Sequence, residues 1–150
     1  MSEAHRMSEL HRAHFAELSG HQVYALCKLR VDVFVVEQNC AYPELDGTDE
    51  DPSTVHFWHT DNGRIVSTLR LLYTDGETRI GRVCTAVDAR GRGLSADLLR
   101  AAIDHAHGDT IVIGAQAQLE QWYGRFGFVR SGENYDEDGI PHLPMTRKGD

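Results

Sequence analysis

Two dipeptides, Asn62-Gly63 and Asp75-Gly76, restrict most strongly what this chain can become. Each stands between runs of apolar and β-branched residues. Each also favours the left-handed backbone of a two-residue hairpin turn. The spacing predicts strands over residues 55–59, 64–73 and 79–85, so the middle of the chain folds as an antiparallel meander. After Thr85 the pattern changes. Leu94, Leu98, Leu99, Ala102, Ile103 and Ala106 recur at helical spacing over 93–107, and Gly108 follows as a C-terminal stop. Residues 110–115, Thr-Ile-Val-Ile-Gly-Ala, form a short apolar run suited to a strand buried on both faces. Strand, helix and buried strand predict a parallel β-α-β unit with a right-handed crossover.

The flanks complete the outline. Ser19 and Gln22 have the spacing of a capping box, and Val23, Leu26, Cys27, Arg30, Val31 and Phe34 follow at helical intervals. Arg30 stands among apolar neighbours, so its stem is expected inside and its head on a specific partner. Residues 38–54 read as an acidic loop: chiefly a solvated connection, with one wall of a cationic substrate pocket as the functional alternative. Leu119, Trp122, Tyr123 and Phe126 predict a last helix over 118–126, stopped by Gly127. Residues 128–135 and 143–147 pair around the turn at 136–139. Residues 1–13, polar and rich in histidine, are expected to be loose, and 14–150 to form a single domain. The fold class is therefore α/β (α+β): a mixed, mostly antiparallel central sheet flanked by helices.

Charge and composition narrow the function. A formal net charge of -8 argues against a nucleic-acid partner, which wants a basic surface. Three cysteines, an odd number, and an N-terminal stretch with no apolar run point to reduced thiols and a cytoplasmic location. No run approaches the roughly 18 apolar residues of a membrane span. The nine histidines and three cysteines form neither C-x-x-C nor H-E-x-x-H, so no metal site is expected.

The segment 79–95 carries the chemistry. A strand ends, a loop brings two glycines and two arginines, and a helix opens. The first turn of a helix presents unpaired amides and a positive dipole end, which together attract an anion. Glycine lets that backbone approach a ligand closely. Arg90 and Arg92 are placed to add charge-assisted contacts to a phosphate. A P-loop would need Lys-Ser/Thr after its last glycine, and the only lysines are Lys28 and Lys148. A dinucleotide fold would begin with this unit, whereas here a meander precedes it.

Arg90-Gly91-Arg92-Gly93-Leu94-Ser95 resembles the pyrophosphate-binding motif of the GNAT N-acetyltransferases, with Ser95 in place of the usual small apolar residue. Residues 28–38, Glu44-Leu45-Asp46-Gly47, residues 67–71, residues 81–85 and residues 138–142 are similar to the ElaA-like branch of that superfamily. The resemblance implies a small acyltransferase that moves an acetyl group from acetyl-CoA to a primary amine, on a small molecule or a peptide. It implies that the strand before the loop splays from its parallel neighbour. Val83, Cys84 and Thr85 would then pair with the pantetheine arm, and the amides of Gly91, Arg92, Gly93, Leu94 and Ser95 would hold the pyrophosphate. Gln116 falls where relatives carry a cofactor-contacting asparagine. Tyr123 corresponds to the general acid of the departing thiolate. Glu37, Asp46 and His142 are the candidates for contact with the acceptor, Glu37 also as base. Cys84 sits beside the acyl site, but direct transfer needs no acyl-cysteine. A homodimer is common in the family. The competing reading is a non-catalytic acyl-CoA-sensing or partner-binding domain, motivated by Ser95 and Gln116.

Overall fold

A computed structural model describes residues 8–150. Eight strands form one sheet: β1 (Ser8–His14), β2 (Val55–Asp61), β3 (Arg64–Thr74), β4 (Glu77–Thr85), β5 (Ile111–Gln116), β6 (Val129–Arg130), β7 (Tyr135–Glu137) and β8 (Ile140–Arg147). The spatial order is β1-β2-β3-β4-β5-β8-β6, with β7 also on β8. All pairings are antiparallel except β4 with β5, the two strands joined by the crossover helix α2 (Leu94–His105). Helix α1 (Gly20–Arg30) runs on into a π-helical segment, Val31–Glu37, and α3 (Glu120–Gly124) follows β5.

The predicted turns form as expected. Asn62 and Gly63 have φ of 53 and 84°, and Asp75 and Gly76 have 53 and 74°. The capping box also forms: Gln22 N donates to Ser19 Oγ at 3.1 Å and Ser19 N donates to Gln22 Oε1 at 2.8 Å. The last helix is shorter than its apolar pattern, because residues 117–119 wind as a tight 3₁₀ turn before α3. One expectation is overturned. Residues 8–13, read as loose, form most of β1, paired in register from Ser8 with Asp61 to His14 with Val55. The strand lies at the sheet edge, exposed on most positions, so it has no apolar alternation to announce it. The rest of that segment, 1–7, lies outside the described residues.

A bulge in β4 decides how the two faces are used. Thr68 pairs with Cys84 and Arg70 with Gly81, so two residues of β4, Arg82 and Val83, face one of β3. Arg82 takes a left-handed φ of 54° to make the turn. An extra residue inverts the alternation beyond it. Ile80 therefore packs with Phe57, Leu69, Leu98 and Leu99 on the α2 face, while Cys84 packs with Leu29, Val33 and Val66 on the α1 face. The bulge also separates β4 from β5, which pair only through Thr78 with Ile111 and Arg79 with Val112. Beyond that point the strands part, and the site lies between them.

Candidate active site

The parted strands open a cleft of about 490 Å³. Val83, Cys84 and Thr85 form one side, the loop from Arg90 to Ala96 the floor, and Gln116, Leu119, Trp122 and Tyr123 the other side. Gly93 caps α2 with a left-handed φ of 75° and supplies no side-chain hydrogen bond to the helix. The first intrahelical bond to that cap runs from Asp97 N to Gly93 O at 3.0 Å. The amides of Leu94, Ser95 and Ala96 thus open the helix with no side-chain cap over them, which is the geometry that accepts an anion. Gly93→Ala forces a Cβ into the left-handed region. We expect it to lower folding stability by roughly 1–2 kcal/mol, read as an earlier urea midpoint with an unchanged m-value.

Ser95, off-pattern in the loop motif, has a structural task. Thr85 Oγ1 lies 2.8 Å from Ser67 Oγ and 2.6 Å from Ser95 Oγ, and Ser67 Oγ donates to the Cys84 carbonyl at 3.0 Å. The carbonyl can only accept, which fixes the direction of the chain: Ser95 donates to Thr85, Thr85 to Ser67, and Ser67 to the backbone. The hydroxyl ties the start of α2 to the open edge of β4 and leaves the Ser95 amide free.

Both arginines of the loop are held by the protein. Arg90 forms a fork onto Glu37, with Nη1 and Nη2 each 2.7 Å from a carboxylate oxygen, and its Nε donates to Thr85 O at 2.9 Å. The hydrogen bonds from Arg90 hold the Glu37 carboxyl below the usual carboxylate range, despite a small opposing effect of burial. Glu37 therefore borders the larger cleft as a paired carboxylate. Arg92 reaches away to Asp61 at 2.9 Å and does not line the cleft. Anion binding there rests on the backbone amides.

A second cleft, of about 220 Å³, adjoins the first. The two share Phe34, Gln38, Val83, Gln116, Leu119 and Tyr123. Tyr123 thus stands where they meet. It is only 6% exposed, and its ring is fixed edge-on by Trp122 at 4.9 Å and Phe128 at 6.0 Å. Burial pushes its phenol up from the ordinary tyrosine value, so it stays protonated at any working pH. Gln116 accepts from Gln118 Nε2 at 2.8 Å and donates to Gln38 Oε1 at 3.3 Å. His142 borders the second cleft. Its Nδ1 lies 2.8 Å from Ile140 O, and a carbonyl only accepts, so Nδ1 carries the proton. Its Nε2 lies 3.6 Å from Glu137 Oε2, and its ring stacks on Tyr135 at 5.7 Å.

Asp46, like Arg92, is placed away from the clefts. It belongs to an ion cluster that neutralises Glu44, Asp46 and Asp49, while Glu50 and Asp51 of the same loop stay exposed to solvent. Arg30 Nε binds Glu44 at 2.7 Å and its Nη1 binds Asp49 at 2.7 Å; Arg70 binds Asp46 at 2.8 Å and Asp49 at 3.0 Å; Arg82 binds Glu44 at 2.9 Å. Cys84 offers its backbone edge, while its side chain is buried and burial pushes the thiol up to about 12. At neutral pH it is no thiolate.

A profile described as an acetyltransferase (GNAT) domain matches residues 22–148. The chain belongs to the GNAT family. A UPF0039 protein of Mycobacterium tuberculosis is 49% identical over 145 residues, covering 93% of each chain. ElaA of Escherichia coli is 38% identical over 149 residues, covering 95% of this chain and 97% of ElaA, which places this GNAT domain in the ElaA-like branch. The crystal structure of an acyl-CoA N-acyltransferase from Pseudomonas aeruginosa matches with a TM-score of 0.89 at 40% identity, over 93% of this chain and 99% of that one. That of E. coli ElaA matches at 0.87 over 95% and 100%. This GNAT domain is accordingly an acyltransferase fold built to use an acyl-CoA and an amine acceptor.

Proposed function

We propose that this GNAT domain transfers an acetyl group from acetyl-CoA directly to the primary amine of an acceptor in the smaller cleft. The supporting observation is that the two clefts join at Tyr123. A long groove with a free strand edge and an open helix N-terminus suits a nucleotide-bearing thioester. A compact side chamber suits the amine. The three cysteines are free thiols, in keeping with a cytoplasmic setting.

The residues present fit acetyl-CoA. Amides at 94–96 receive the pyrophosphate, the open edge at 83–85 pairs with the pantetheine arm as an added strand would, and Gln116 borders both clefts. When bound, the thioester supplies an activated acyl carbon. His142 then takes a proton from the arriving ammonium through Nε2, directly or across one water, and leaves a nucleophilic amine. Tyr123 donates its O–H to the sulfur as the carbon–sulfur bond breaks. Its raised pKa makes it chiefly a hydrogen-bond donor that steadies the thiolate, while the amine's proton closes the balance. Glu37 positions Arg90 and the loop; its pairing makes it a poorer base than His142.

The test is thiol release from acetyl-CoA across a panel of amines, with coenzyme A binding measured by calorimetry on the same samples. Acceptor-dependent release with an acetylated amine product is the expected outcome. Tight binding with no release from any amine would establish the sensing reading instead.

A further inference from the structure

We infer that the acceptor is an amine that also carries a carboxylate, an amino acid or a close analogue, and that Arg82 reads the carboxylate. The inference rests on the amine-acetylating reading above and names the substrate class of that same site.

The smaller cleft is richer in cationic than in anionic side chains: Arg70, Arg79 and Arg82 against Glu137 and Asp138. Most of these are already engaged. Arg70 has both terminal nitrogens on Asp46 and Asp49. Arg79 lies beside Glu77 at 3.2 Å, and Glu137 beside His142. Arg82 is held more firmly and still keeps one nitrogen open. Its Nε donates to Glu44 Oε2 at 2.9 Å and its Nη2 to Glu44 O at 3.3 Å, with Asp46 Oδ2 3.6 Å from Nη2, while its Nη1 has no acceptor among the described residues; Arg79 also has an open Nη1, but on a side chain 43% exposed. Its guanidinium lies 5.5 Å over the Tyr42 ring, and Tyr42 itself hydrogen-bonds Glu44. The fork is thus held from behind and from one face, at 21% side-chain exposure, with one nitrogen left for the cleft.

The backbone adds an independent observation. Arg82 sits at the β4 bulge with φ of 54°, a conformation that bulky residues avoid. Glycine or asparagine would take this place with less strain, so the arginine head gives the position its value. Bulges of this kind re-aim a side chain beside a site. Arg82 also adjoins Val83, which borders both clefts, so a group held by Arg82 lies next to the acyl end of the larger cleft. Asp46 and Glu44, the acids that a polyamine would seek, are spent on Arg70, Arg30 and Arg82. A volume of about 220 Å³ falls below the roughly 300–1,000 Å³ of drug-sized pockets, which favours a compact acceptor.

The experiment compares matched acceptors on the full chain by acetyl-CoA thiol release, with products verified by mass spectrometry. The pairs are the L-amino acids against their carboxamides, and 4-aminobutyrate against butylamine, with spermidine as a cationic control. Acids exceed their uncharged partners by about tenfold or more in kcat/KM, the scale of one charge-assisted hydrogen bond. Arg82→Asn, whose side chain tolerates the left-handed backbone, abolishes that preference mainly through KM, and Arg82→Lys restores part of it. A preference for butylamine, carboxamides or spermidine in the wild-type chain would overturn the inference while leaving the transferase reading intact. Preference for acids that survives in a folded Arg82→Asn would overturn the role of Arg82. Binding of acetyl-CoA with no release from any amine would overturn the transferase reading, and this inference with it.

Discussion

Replacing Tyr123 with phenylalanine lowers kcat about a hundredfold and changes coenzyme A affinity by less than about threefold. The ring is held by Trp122 and Phe128 at its edges, and phenylalanine keeps those contacts. Only the hydroxyl is lost, from a residue shared by both clefts. A hundredfold corresponds to about 2.7 kcal/mol of transition-state stabilisation, within the range of a single donor removed from a developing anion. A stability loss in the variant, without loss of turnover, would mark Tyr123 as a packing residue. Steady-state thiol release and calorimetric binding on the same preparation separate the two.

Glu44→Gln and Arg30→Met, made singly, each destabilise the fold by about 3–5 kcal/mol. Both side chains are 3% exposed and bound to each other at 2.7 Å. Removing one partner leaves the other charge buried with a single remaining counter-ion, Arg82 for Glu44 and Asp49 for Arg30, and its incompletely compensated desolvation dominates the loss. The double replacement recovers much of it, so a double-mutant cycle by urea denaturation checks the origin of the effect. Acid acts on the same cluster. Asp46 is held well below its usual range, first by hydrogen bonds from Arg70, against partial burial. Asp49 has burial acting to raise it, but Arg30 and Arg70 together outweigh burial and lower it. A depressed carboxylate contributes stability above the ordinary aspartate value of about 3.9, and that contribution disappears as pH falls through the depressed value. The contribution of these two aspartates is therefore expected to hold from neutral pH down to about pH 4 and to decline below it, whereas His56, His59 and His105, kept below the usual histidine value chiefly by burial, withdraw stability already as pH falls below about 6.5.

Local signals made much of this fold legible. Asn62-Gly63 and Asp75-Gly76 give the meander because hairpin turns are encoded in two residues. Ser19 and Gln22 cap α1 for the same reason. Gly91 and Gly93 mark the loop because the backbone there is left-handed. Other features depend on residues far apart in sequence. The fate of the acidic loop was hidden because its counter-ions come from α1, β3 and β4. Arg30 was expected inside with a specific partner, and Glu44 and Asp49 are those partners, but nothing in the helix names them. The bulge has a glycine signal beside it, Gly81 inside a strand pattern, but the left-handed turn falls on Arg82, which local sequence does not announce. Arg90 and Arg92 were expected on phosphate because the loop alone offers them nothing else; Glu37 and Asp61 arrive only with the tertiary fold. Phe34, Gln38 and Trp122 reach the cleft from elements whose periodicity speaks only of packing.

A larger groove of about 760 Å³ lies on the other side of α1, bordered by Lys28, Trp58 and Arg64. It offers volume but no open strand edge, and the helix N-terminus at its rim, that of α1 at His21 and Gln22, is already closed by the Ser19–Gln22 capping box, which favours the 490 Å³ cleft between β4 and β5 as the acyl-CoA site. Hydrogen exchange of the full chain with and without acetyl-CoA decides between them most directly. Acetyl-CoA is expected to slow exchange of the amides at 83–85 and 91–96 and to leave residues 21–28 and 60–65 unchanged. Protection confined to the groove beside α1, or no protection anywhere at saturating acetyl-CoA, would contradict this placement of the site.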